Sequence, residues 1–184
     1  MAMQLRFRSR GGVRGHFYRI FDAKFRENPR CYVEQCLVAT VSMFIILSLL
    51  DAVTQTVLIA SLGASSFIAF TMPHINAAKP RYLFFGYVVG VICGVSVSLL
   101  GMELTNASFT QMAPQSRIAF GTIALGLAMF VMVITDTEHP PAAALALGFV
   151  LNDWDVLAVC VVICGIAGIV VLKEAFKSSM IDLL

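Results

Sequence analysis

The chain has 184 residues, of which 59% are apolar and 13% charged, and its mean hydropathy is +0.85. A soluble domain carries about 25% charged residues, so this composition excludes a water-soluble enzyme, a disordered protein and a disulfide scaffold. The net charge of +2 hides a division, because residues 1–30 hold eight of the thirteen basic residues against Asp22 and Glu27 alone.

The first fifteen residues are Arg-rich and acid-poor, as organellar transit peptides are. Beyond them Phe17, Phe21 and Phe25 recur every four positions among Arg19, Lys24 and Arg26. That spacing predicts a retained amphipathic helix lying in the membrane interface. The arm 1–30 is expected to be cytoplasmic and to attract anionic lipid headgroups. It is short and runs straight into apolar sequence, which argues against nucleic acid as its partner. Cys31, Cys36, Cys93, Cys160 and Cys164 form no Cys-x-x-Cys pair, so neither a metal site nor a disulfide framework is indicated, and no cofactor is expected.

Apolar segments at 33–50, 53–72, 82–101, 118–135 and 156–172 are plausible spanning helices, whereas 142–151 is too short to cross alone. The positive-inside rule places Lys79, Arg81, Lys173 and Lys177 on the side of the basic arm, which demands an even number of crossings. The short segment, preceded by an extended stretch over 136–141, then makes a broken crossing whose open backbone must be buried in protein or face water. The expected fold is an all-α membrane protein of five to six transmembrane helices with this break. Five spans and an external C-terminus are the alternative. Residues 31–177 form the transmembrane domain and 178–184 a tail. Six crossings divide into oppositely oriented halves, about 31–102 and 117–173, which would form an inverted 3+3 repeat.

Gly86, Gly90, Gly94 and Ser98 run at four-residue spacing along the third helix, as do Cys160, Cys164 and Gly168 on the last. Small residues so spaced let backbones approach closely in lipid. Packing within the chain is the expected use, and a homo-oligomer interface the alternative.

Polar groups inside hydrocarbon are costly and are read first as functional. The densest cluster runs Thr135-Asp136-Thr137-Glu138-His139-Pro140-Pro141. Two prolines break a continuing helix yet suit the first turn of a new one. A half-helix is therefore expected to start near His139, its N-terminus facing into the protein as an anion site. The competing reading makes the cluster a plain cytoplasmic loop. A second cluster, Gly63-Ala64-Ser65-Ser66, lies in mid-helix, where the serines either meet a ligand or bond back to their own helix.

The run Thr137-Glu138-His139-Pro140-Pro141-Ala142-Ala143-Ala144-Leu145-Ala146 resembles the signature of the HPP family of small integral membrane proteins, named for that tripeptide. Gly63-Ala64-Ser65-Ser66 through Phe70, Pro73 and Ala78-Lys79-Pro80-Arg81, then Gly86 and Gly90, is similar to the family's other motif region. The resemblance covers about 40–175. This chain departs from the family pattern at Ala142-Ala143, where Gly is common, and at Lys79-Pro80-Arg81-Tyr82. The resemblance implies membrane transport, with plastid and cyanobacterial members associated with nitrite.

The expected function is accordingly a non-enzymatic transporter or channel for a small inorganic anion, nitrite first. His139, Pro140, Pro141, Ala142, Gly63, Ser65 and Ser66 would line the site. Asp136, Glu138 and Thr135 would gate it or couple it to protons, because carboxylates repel an anion. A bacterial inner membrane with the N-terminus cytoplasmic is the expected location, a plastid inner envelope the alternative. Two other functions compete: a non-transporting scaffold or sensor, and an intramembrane hydrolase using Ser65 with His139 as base.

Overall fold

The computed structural model describes residues 29–50, 56–108 and 111–183. Residues 1–28 of the basic arm, with the expected interfacial helix, lie outside the described residues, whereas Pro29 and Arg30 already belong to the first described helix. Among the described residues six α-helices follow one another: α1 (Pro29–Leu50), α2 (Thr56–Thr71), α3 (Pro80–Thr105), α4 (Pro114–Thr135), α5 (Pro140–Leu151) and α6 (Val156–Phe176), with short 3-10 turns at Asn76–Ala78 and Lys177–Ser179. There is no strand among the described residues.

Local sequence sets most of these boundaries. Pro80, Pro114 and Pro140 open α3, α4 and α5, where a missing N–H costs nothing and φ is already helical. Asp155 caps α6 by accepting from the Ala158 amide at 2.7 Å. Two helices stop in the left-handed conformation, α3 at Asn106 (φ 46°) and α4 at Asp136 (φ 52°). Asn and Asp tolerate that region better than other side chains. The Thr137 amide then returns to the Met132 carbonyl at 3.0 Å, closing the end of α4.

Among the described residues four helices are long and apolar enough to cross a membrane: α1, α3, α4 and the α6 segment. By contrast α2 and α5 are shorter apolar helices. The twelve residues of α5 supply about 18 Å of helix, against ~30 Å of hydrocarbon. Contacts fix the alternation of direction. Gln35 near the start of α1 bonds the Phe70 carbonyl at the end of α2. Arg81 at the start of α3 bonds the Thr135 carbonyl at the end of α4. Tyr32 of α1 bonds the Leu183 carbonyl beyond α6. The start of α1 therefore shares one end of the bundle with the end of α6, which requires an even number of passages. Single cysteines at Ser108 and Ser179, both exposed, are expected to react with impermeant thiol reagents from opposite sides of the membrane. Same-side reaction would leave five crossings.

At the centre, α5 packs against α2, α3 and α4, while α6 packs against α1, α2 and α3. The glycines of α3 make its contact with α5 possible. A Cβ added at Gly94 would stand 2.8 Å from the Ala146 carbonyl oxygen, and one at Gly90 would run into the Ala142 carbonyl. Lipid supplies no hydrophobic drive between helices, so this close approach and its dispersion contacts hold the pair together. The last helix departs from expectation. Cys160 and Cys164 are exposed, and the inward face is Ala158, Val162, Ile166, Ile169 and Lys173. Gly168 does meet Ile46 of α1. Large apolar side chains such as Phe44, Phe130 and Val133 point outward, as suits a surface facing lipid.

Candidate functional site: a buried histidine and serine between two short helices

His139 is the N-cap residue of α5, with extended backbone (φ −141°, ψ 97°), and its side chain is 1% exposed. The prolines that follow fix the helix start, and α3 makes room for the imidazole. A Cβ at Gly86 would lie 2.8 Å from the His139 Cβ and 3.1 Å from the Thr137 carbonyl oxygen. The ring lies beside that of Tyr87, with 5.8 Å between centroids.

Both ring nitrogens are engaged. The Nδ1–H donates to the Ala77 carbonyl at 3.1 Å. Because a carbonyl can only accept, this bond leaves Nε2 of the neutral ring as the acceptor, and Ser65 Oγ donates to it at 2.8 Å. The Tyr87 hydroxyl sits 2.8 Å from Ser65 Oγ and 3.3 Å from Ser61 Oγ, and Ser61 donates to the Leu58 carbonyl at 2.7 Å. With the Ser65 and Ser61 protons committed to Nε2 and to the Leu58 carbonyl, the single Tyr87 O–H is shared between the two serine oxygens, and the polar network runs from mid-α2 through α3 to the head of α5. Its polar groups are buried and paired, as burial in low dielectric demands. Tyr87→Phe removes the hydroxyl shared by the two serines. A loss of about 1 kcal/mol, read as a lower unfolding midpoint in detergent, is expected.

The remaining predicted residues divide sharply. Ala142 lies on Gly90, inside the α3–α5 contact, and Pro141 is buried beside it. Ser66 is buried, but the bond to His139 comes from Ser65. Gly63 is exposed, and a Cβ there would meet nothing within 4 Å, so it faces away from the histidine. Asp136 is at the surface, 3.6 Å from the Arg81 guanidinium, and accepts from the Tyr82 hydroxyl at 2.9 Å. Thr135 bonds Thr137 at 2.8 Å, and Glu138 is exposed.

The head of α5 differs from the expected cradle of amides. Pro140 and Pro141 have no N–H to offer, and the Ala142 and Ala143 amides both turn to the His139 carbonyl, at 2.9 and 3.4 Å. The positive dipole end remains, but its first-turn donors are spent within the helix. Beside it an apolar groove of about 300 Å³ lies between α4 and α5, with Met129, Met132 and Val133 on one wall, Pro140 and Ala143 on the other, and His139 among its lining residues. No group of His, Cys, Asp or Glu among the described residues could hold a metal ion.

Tyr87, Ser61 and the Ala77 carbonyl were absent from the sequence reading. The one signal for Tyr87 was its position: a tyrosine inside an apolar helix, next to Gly86, must find a partner for its hydroxyl.

Helices with lipid-facing apolar flanks, charges gathered at the loops and a satisfied polar chain in the core define an all-α integral membrane protein. Residues 25–179 match the family model described as HPP, transmembrane region, and the chain belongs to that family. A transmembrane protein of Dictyostelium discoideum is 36% identical over 98 residues, which is 53% of this chain and 31% of that relative. This chain therefore aligns with less than a third of the relative's length. No solved structure matches the chain.

Proposed function

We propose that the protein carries a small inorganic anion, nitrite first, across its membrane, with His139 and Ser65 as the polar centre of the path. The observation that carries this reading is the buried Ser65–His139 bond where the two short helices α2 and α5 meet. In this arrangement the imidazole and hydroxyl satisfy each other, so the site is closed. Separation of α2 from α5 would free the Ser65 hydroxyl as a donor for the anion, and Nε2, once it takes up a proton, as a second donor at the dipole end of a helix. Asp136 and Glu138 stand outside this centre at the surface, which suits gating better than ligation. The groove beside α5 reaches His139 and is apolar except for Glu138, whose carboxylate disfavours an anion there, so recognition of the anion falls to the Ser65–His139 pair.

The helix neighbours support an inverted repeat. Exchanging α1 with α4, α2 with α5 and α3 with α6 carries the set of main helix–helix contacts onto itself, with α2–α5 and α3–α6 unchanged. Oppositely oriented halves meeting at short helices suit alternating access. In this reading the end carrying Lys79, Arg81, Lys173 and Lys177 is cytoplasmic.

The test is uptake into proteoliposomes across a panel of nitrite, nitrate, formate, chloride and cations. Nitrite uptake well above empty vesicles is expected. Uptake indistinguishable from empty vesicles for every ion would reject transport and favour a scaffold.

One further reading has a specific observation behind it. Ser65 Oγ at 2.8 Å from Nε2, with Nδ1 oriented by a carbonyl, has the spacing of a nucleophile, base and orienting group. Against it, Ser65 is 0% exposed and backed by Tyr87, which leaves no place for an acyl group. Covalent labelling of Ser65 by a fluorophosphonate would move the assignment to a hydrolase.

A further inference from the structure

Beyond α6 the described residues 177–183 stay against the bundle. Residues 180–183 turn back across the end where α1 begins and α2 finishes. Met180 and Leu183 are buried, at 6% and 3% exposure. The Leu183 amide donates to the Thr71 carbonyl at 2.8 Å, and its carbonyl accepts from Tyr32 at 2.7 Å. Gln35, itself buried, holds both sides of Ile181: its amide nitrogen donates to the Ile181 carbonyl at 2.7 Å, and its oxygen accepts from the Ile181 amide at 3.3 Å. Between these anchors Asp182 accepts from the His74 amide at 3.1 Å and from His74 Nδ1 at 3.3 Å.

His74 lies in the loop that joins α2 to α3, and three residues on, Ala77 offers the carbonyl that orients the His139 imidazole. The loop is a chain of tight turns: the Ile75 amide bonds the Met72 carbonyl, Ala78 bonds Ile75, and Lys79 bonds Asn76. A displacement at His74 is therefore passed to Ala77 through consecutive hydrogen-bonded turns rather than absorbed by slack chain.

We propose that segment 180–183 is a latch that sets the state of the His139 site. Docked, Asp182 pins His74, the loop holds the Ala77 carbonyl against Nδ1, and Nε2 is presented to Ser65. Undocked, the loop relaxes, Nδ1 loses its fixed acceptor and the imidazole is free to turn from Ser65. Asp182 is thus a positioning residue acting on His139 through the loop. The effect on flux rests on the transport reading above, whereas the effect on the imidazole does not.

The experiment compares wild type, Asp182→Ala and Tyr32→Phe in nanodiscs by amide hydrogen exchange, by the ¹⁵N signals of the His139 imidazole and by nitrite uptake. Tyr32→Phe loosens the latch from the α1 side and leaves the loop's own residues intact, so it guards against a local fault at His74. The expected result is at least tenfold faster exchange at the Ala78 and Lys79 amides, with a His139 Nδ1 signal moved away from its hydrogen-bonded position, in both variants. Unchanged loop exchange while the Leu183 amide exchanges freely would overturn the latch. Faster loop exchange with an unmoved His139 signal would overturn its link to the site. If His139→Ala abolishes uptake but Asp182→Ala leaves it unaltered despite a loosened loop, the control of flux is overturned. If wild type itself shows no uptake, transport and control of flux both fall, and the imidazole signal alone judges the positioning role.

Discussion

Gly90→Leu is expected to abolish folded protein. At this position α3 meets α5 backbone to backbone, and an added Cβ runs into the Ala142 carbonyl. That oxygen cannot swing aside as a flexible side chain would, because it belongs to the first turns of a helix whose start is fixed by Pro140 and Pro141. Overpacking costs about 1–3 kcal/mol where side chains can adjust, and more where backbone must move. Even Gly90→Ala should lower the unfolding midpoint. Gly126 supplies the control, because it is exposed and nothing lies within 4 Å of a Cβ there. Gly126→Ala should be neutral or slightly stabilising through helix propensity. Equal unfolding midpoints for Gly90→Ala and Gly126→Ala, measured by fluorescence-detected melting in detergent, would show that α3 and α5 do not touch as described.

The second large effect is on transport. His139→Ala should leave a folded protein, because the prolines and not the imidazole set the backbone of α5. It strips Ser65 of its acceptor and the Ala77 carbonyl of its donor, a cost of about 1–3 kcal/mol that lowers stability without preventing folding. Flux should fall to the level of empty vesicles. His139→Gln separates two roles for the ring. An amide can donate toward Ala77 and accept from Ser65, so flux that survives in Gln marks a positioning and hydrogen-bonding role. An amide cannot titrate near neutral pH, so a Gln variant as inactive as Ala marks proton movement through the site. Normal flux in folded His139→Ala would reduce the chain from Ser61 to Ala77 to a structural network.

How far the sequence speaks for this molecule differs from element to element. The break before α5 is legible because proline acts locally: Pro140 and Pro141 announce a helix start whatever surrounds them. The glycine series of α3 is legible as a contact face for the same reason, although its partner is not. Gly86, Gly90 and Gly94 turn to α5 only once the tertiary fold sets that rotation. The Cys160 and Cys164 series has the same spacing and faces outward, so small-residue periodicity marks a stripe without saying which stripe is covered. His139 and Ser65 were each singled out, but their bond crosses 74 positions and no local pattern encodes it. The prolines announce that donors at the head of α5 can come only after Pro141, but the pairing of those amides is set by the folded turn. Two of the first residues are prolines, and the next two amides find the His139 carbonyl. The docking of 180–183 is invisible in the sequence because its partners, Tyr32 and Gln35 on one side and Thr71 and His74 on the other, come from two stretches of chain more than a hundred residues away.

The central claim is that a small anion meets the imidazole of His139, and the direct measurement is nitrite titration followed through the ¹⁵N imidazole signals. The chain has three histidines, and comparison with His139→Gln assigns the relevant pair of resonances. A saturable shift of the His139 signals, weakened in Ser65→Ala, is the expected result. His139 signals that stay fixed at nitrite concentrations where uptake is already saturated would place the path elsewhere in the bundle.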